Sequence, residues 1–147
     1  MEALLRLVAN AKTITVGKTF VLTFSNPNLK SLLVKLNQDQ LRASQLSNDT
    51  KIPFNYSEKS KDEFGKRPGP WTLFDTGDLY DSFNVTAVTE EAIIEFGDLI
   101  KEDGEGGADF EELFKGNVLG LDSESKTIFI KEALPIMRDI LLGQLQK

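Results

Sequence analysis

The chain has 147 residues, 40% apolar and 27% charged, with a net charge of −6 and neither cysteine nor histidine. This balance suits one domain with its own hydrophobic core and excludes a disordered chain. The missing residue types exclude disulfides, thiolate nucleophiles, Cys-type zinc sites and the imidazole that most often serves as general base or metal ligand near neutral pH.

The opening Met1 to Ala9 is apolar but short and carries Glu2 and Arg6. It lacks the layout of a secretory signal and reads as a mature N-terminal helix over residues 2–11, with Leu4, Leu5, Leu7 and Val8 on one face. No apolar run approaches the roughly 20 residues that span a bilayer. Residues 13–24 fit two patterns. Ile14, Val16, Phe20, Val21 and Phe24 have helical spacing, whereas Thr19 to Phe24 is rich in β-branched and aromatic residues; helix is the preferred reading. Ser25-Asn26-Pro27-Asn28 is a helix start, with a capping side chain followed by proline. Leu29, Leu32, Leu33 and Leu36 then trace an apolar stripe that predicts a helix over 27–37.

Residues 38–70 read as a long polar arm ending in Pro68-Gly69-Pro70, of the kind that often serves in binding or assembly. After it, Leu73-Phe74 leads into a corner at Asp75, Thr76 and Gly77. A short helix follows from Asp78, capped by Asp75 or Thr76 and burying Leu79, Tyr80 and Phe83. Residues 83–88 and 92–96 predict a hairpin. Residues 98–109 form an acidic, glycine-rich loop, and 110–114 a short helix. Asp122 or Ser123 caps a final helix whose stripe is Ile128, Phe129, Ala133, Ile136, Met137, Ile140 and Leu141, kinked at Pro135. The fold class is α+β: a small antiparallel sheet flanked by N-terminal and C-terminal helices, with a long extended arm. One domain covers 1–147, divided into a helical part (1–37), the arm (38–70) and an α+β core with the C-terminal helix (71–147).

Charge is regional. Residues 1–29 carry net +2, 30–70 net +3, 71–125 net −13 and 126–147 net +2. The acidic stretch repels phosphates and attracts a basic partner.

Asp75, Asp78 and Asp81 recur at three-residue spacing, which on a helix places them on one face as a metal or acid/base set. The simpler reading is a turn cap and two exposed acids near a helix start. The Asp103 to Asp109 loop fails as an EF-hand, because Ala108 stands where glycine is required and Phe114 where glutamate is. Lys59, Lys61, Lys66 and Arg67 interleave with Tyr56, Phe64 and Trp71. Asp62 and Glu63 interrupt this basic patch, so a protein contact fits it better than nucleic acid. The candidate interface residues are Tyr56, Arg67, Trp71 and Tyr80; no catalytic, cofactor or metal site is assigned.

Several segments in order carry a resemblance. They are Leu36 to Leu41, Tyr56-Ser57 with Lys61, Pro68 to Trp71, Leu73 to Phe83 with its Thr76-Gly77-x-Leu79-x-x-Ser82 core, and Leu119-Gly120-Leu121 before the closing helix. Over roughly residues 35–145 the chain resembles small virion structural proteins of tailed bacteriophages, of the head-to-tail connector or tail-completion type found in phages and prophages of Bacteroides-type hosts. The resemblance implies a non-enzymatic subunit, made in the host cytoplasm and built into the virion. Its implied partners are copies of itself and portal, neck or tail proteins, with the acidic stretch beside packaged DNA and no membrane or cofactor. The residues alone leave two other readings open, a carboxylate-dependent hydrolase using some of Asp75, Asp78 and Asp81, and a monomeric acidic module that binds a basic protein.

Overall fold

A computed structural model describes residues 16–59, 62, 65, 68–74, 77–88, 92–96 and 112–146. The expected helix over 2–11, the loop over 98–109, residues 110–111 of the expected short helix, and Arg67, Asp75 and Thr76 lie outside the described residues. Those described form an α+β fold of four helices and two antiparallel two-stranded sheets.

Helix α1 spans Val16–Phe24. Its fully buried residues are Thr19 and Thr23; of the expected apolar set Phe24 packs partly buried against the core, and Val16 is 84% exposed. Small threonines let the helix approach its neighbours closely, and the Thr23 hydroxyl donates to the Thr19 carbonyl at 2.8 Å, which makes its burial tolerable. Phe20 and Phe24, one turn apart, stack at 4.1 Å between ring centroids, and Phe24 meets Phe129 at 5.5 Å.

Helix α2, Pro27–Arg42, begins where the sequence predicts, with the Asn26 side chain accepting from the Asn28 and Leu29 backbone N–H groups. It runs five residues beyond the expected end at 37. Leu41 continues the stripe into the core, and Asp39 joins Lys35 one turn back and Arg42 ahead of it. The stop is a Schellman motif: Gln45 N–H donates to the Gln40 carbonyl, Ser44 N–H to that of Leu41, and Ser44 takes a positive φ of 57°.

Over residues 38–54 the arm is therefore not extended. Residues 38–42 are helix, and residues 43–54 fold back tightly, with Gln45 bridged to Lys51 and Leu46 and Ile52 both buried. Strands β1 (Asn55–Tyr56) and β2 (Gly69–Pro70) then pair antiparallel, which pins together the two ends of the intervening stretch. Apolar burial of Leu41, Leu46 and Ile52 overrides the polar character of the surrounding residues.

Helix α3 is a single turn, Asp78–Asp81. Strands β3 (Phe83–Ala87) and β4 (Ala92–Phe96) form the expected hairpin, with Val85 opposite Ile94. Helix α4, Ser123–Leu145, starts at Asp122, whose carboxylate accepts from the Ser125 N–H at 2.8 Å, and remains one helix through Pro135 on its exposed side. Phe129 and Ala133 are its buried apolar residues, while Ile128, expected in the stripe, is largely exposed.

The core has two lobes. Leu41, Leu46, Ile52, Leu73, Leu79, Tyr80, Phe83, Phe114 and Val118 fill one. Leu29, Leu33, Leu36, Val85, Ile94, Leu121, Phe129 and Ala133 fill the other. Helix α2 contributes to both, and Val34 and Leu119 pack against both, so the lobes share one scaffold.

Candidate interaction surface

The strand pairing of Tyr56 with Gly69 and the backbone bond from Trp71 N–H to the Phe54 carbonyl bring three aromatics together. Trp71 lies 4.9 Å from Phe54 and 6.1 Å from Tyr56 between ring centroids, and Phe54 touches the edge of Phe114 at 5.9 Å. Phe54 is exposed, while Tyr56 and Trp71 are half-buried. The group is thus rooted in the core through Phe114 and open to solvent on the other side. Of the four expected interface residues, Tyr56 and Trp71 come together here.

Tyr80 does not. It is 2% exposed and forms part of the core. Its hydroxyl donates to the Thr72 carbonyl, its ring meets Phe74 at 5.3 Å and Phe83 at 5.7 Å, and the Arg42 guanidinium lies 5.0 Å over its face. Burial pushes the phenol above its usual range, with Arg42 pulling the other way. Its role is to hold the segment after residue 72 against α2, and it has no surface left for a partner. Gln38 supports the same corner by donating its side-chain amide to the Tyr80 carbonyl at 2.9 Å.

Gly77 stands at the N-cap of α3 with φ 104° and has no side chain of its own to cap the turn. The glycine's backbone conformation shapes this corner, and the expected cap from Asp75 or Thr76 lies outside the described residues. Asp78 and Asp81 are exposed on the surface of α3. Among the described residues no cluster of carboxylates could hold a metal ion.

Sequence reasoning missed a polar clamp between α2 and residues 117–123. Asn37, fully buried, donates to the Val118 and Gly120 carbonyls, each at 3.0 Å. Gln40 donates to the Gly120 carbonyl at 2.7 Å and accepts from the Asp122 N–H at 2.9 Å. Asp49 accepts from both the N–H and the hydroxyl of Ser123. These two hydrogen bonds hold the Asp49 carboxyl below the ordinary carboxylate range. A signal for the clamp was present: Gln40 follows Leu29, Leu33 and Leu36 on the inner face of α2, where a polar residue must find partners.

Two further concavities lie elsewhere. A 340 Å³ groove runs between α2 and β3, lined by Lys30, Ser31, Lys35, Gln38 and Asn84 among others. A 150 Å³ apolar cleft between α1 and α4 is lined by Val16, Thr19, Phe20, Met137 and Leu141.

No protein-family model, curated protein or solved structure matches this chain.

Proposed function

We propose that this protein is a structural subunit of a tailed-phage virion, at the neck or tail-completion position, that works by assembling with copies of itself in a ring around the DNA channel. The observation that carries the reading is the distribution of apolar surface. Val16 and Leu22 on α1, Phe54 near the β1–β2 hairpin, Ile93 on β4, and Ile130, Leu134 and Leu142 on α4 are all more than a third exposed. Among them Ile130 and Leu134 stand one turn apart on the same helix as an adjoining exposed apolar pair, which suits a surface covered by a neighbouring subunit. The ordered segments from Leu36 to Leu121 supply the virion context by resemblance. The acidic stretch over 71–125 suits a channel wall, because like charge lets DNA pass without sticking.

The test is imaging of purified particles from a phage or induced prophage encoding the chain, together with D75A/D78A/D81A. The expected result is density for the chain on the portal–tail axis, with the substitutions affecting particle yield alone. Particles without the chain would sink the reading, as would a hydrolytic activity lost in the variant while particles still form.

A further inference from the structure

Helices α1 and α4 pack antiparallel. Phe24, at the end of α1, meets Phe129 at 5.5 Å, while the start of α1 faces Met137 and Leu141 across the 150 Å³ cleft. The cleft is lined by Val16, Thr19, Phe20, Met137 and Leu141, apolar but for one threonine. That threonine is 4% exposed, and among the described residues its Oγ1 has no hydrogen-bond partner. One turn beyond Leu141 on the same face of α4, the Gln144 Nε2 atom is also buried without one. Thr23 shows the usual remedy, donating to the carbonyl four residues back; the corresponding carbonyl for Thr19 belongs to Thr15, in the sequence before α1. Two buried polar atoms without partners mark the cleft as incomplete with the residues that line it.

The sequence before Val16 suits this place. Leu4, Leu5, Leu7 and Val8 put an apolar face on residues 2–11. A helix of that length is marginal in water by itself, so such a face needs a surface to cover. Residues 12–15 make a connection of the length that commonly joins packed helices, and they lead directly to Val16 on the rim of the cleft. The covalent link holds the segment near the cleft at an effective concentration on the order of millimolar. A separate chain in dilute solution does not match that.

We infer that residues 2–11 of the same chain seat their apolar face in the cleft between α1 and α4. Aliphatic side chains from Leu4, Leu5, Leu7 and Val8 fill the space beside Phe20, Met137 and Leu141, where burial of apolar area drives the contact. The polar backbone of the connection over 12–15 supplies partners to the Thr19 hydroxyl and the Gln144 amide. The contact is internal to one chain and does not depend on the assembly reading.

The absence of cysteine lets one introduced thiol report on the cleft. Met137→Cys places it on the cleft wall, and Leu134→Cys, at a position 57% exposed, is the open reference. In the full chain, Met137→Cys should react with a maleimide more slowly than Leu134→Cys. Adding L4S/L5S/L7S/V8S should raise the Met137→Cys rate about tenfold, the scale of a 1.4 kcal/mol change, and leave the Leu134→Cys rate as it is. Circular dichroism checks that each variant is folded, and diluting the protein should not change the slow rate. An unchanged Met137→Cys rate in the fourfold variant would overturn the proposal. An equal rise at both thiols would overturn it too, since that reports general loosening rather than an uncovered cleft. Protection lost on dilution would assign the cleft to a second copy instead. Leu141→Cys repeats the measurement if Met137→Cys does not fold, and L5S/V8S and L4S/L7S test the face in halves if the fourfold variant does not.

Discussion

Asp49 binds Ser123 twice, accepting the backbone N–H at 2.7 Å and the hydroxyl at 2.5 Å across 74 positions of sequence. It thereby serves the first turn of α4 alongside the N-cap Asp122, and it ties the folded-back loop after α2 to the C-terminal helix. Because the hydrogen bonds from Ser123 favour the charged carboxylate, its folded pKa lies below the ordinary 3.8. A depressed carboxylate pKa adds stability that is present above the unfolded value and lost as pH falls through the folded one. Asp49→Asn should therefore lower Tm at pH 7 and flatten the fall of Tm as pH drops below the ordinary carboxylate value of 3.8. Calorimetry across that range checks it; an unchanged pH slope would refute the account.

Tyr80→Phe removes one hydroxyl from the core and leaves the Thr72 carbonyl without that donor. The cost should be about 1–2 kcal/mol in urea unfolding. Tyr80→Ala should cost about 3–5 kcal/mol, because it also leaves a ring-sized cavity. The raised phenol pKa has its own consequence. Stability from the neutral buried phenol is present below the ordinary value of 10.0 and lost as pH rises above it. Ultraviolet titration of the folded protein should show no Tyr80 ionisation near pH 10, and the signal should appear together with alkaline unfolding.

Gln40 is satisfied at both ends of its amide, by the Gly120 carbonyl and the Asp122 N–H. Gln40→Leu keeps the volume and removes both bonds, so the Asp122 N–H is left buried with no acceptor. About 2–3 kcal/mol should be lost, more than for Lys35→Ala on the exposed side of the same helix, whose ion pair with Asp39 is worth under about 1 kcal/mol. Urea midpoints of the two variants decide it.

The contrast between α2 and α4 explains what the sequence made legible. The Asn26-Pro27 start, the Leu29–Leu36 stripe, the β3–β4 hairpin and the Asp122 start all depend on residues close together in the chain, and each is where local rules place it. The end of α2 was not legible, because Ser44 takes the positive φ where glycine is the usual signal. The packed loop over 43–54 was not legible either, since Leu46 and Ile52 are isolated apolar residues whose burial depends on partners such as Leu73 and Val118. Tyr80 read as an anchor because aromatic composition is the same on a surface and in a core. Only the carbonyl of Thr72 and the ring of Phe74 decide which it is.

Ile130 and Leu134 stand one turn apart on α4, 55% and 57% exposed. Replacing both with Ser should change the stability of the isolated chain by no more than about 0.5 kcal/mol each, since neither fills the core. If this face meets a neighbouring subunit, the double variant should fold with a Tm within a few degrees of wild type and fail to enter particles. Equal incorporation of variant and wild type would remove α4 from the interface.

Gly77 is the part of the corner where backbone conformation decides. At φ 104° an L-residue is strained, and a Cβ built there would stand 3.5 Å from the Phe74 ring, ordinary contact rather than a clash. The penalty for Gly77→Ala is therefore conformational, about 1–2 kcal/mol. Gly77→Asn should cost less than Gly77→Ala, although its side chain is larger, because asparagine tolerates positive φ better. A steric origin would give the opposite order. Thermal unfolding of the two variants side by side separates the explanations, and Asn falling below Ala would show that the Phe74 ring, not the backbone, demands glycine here.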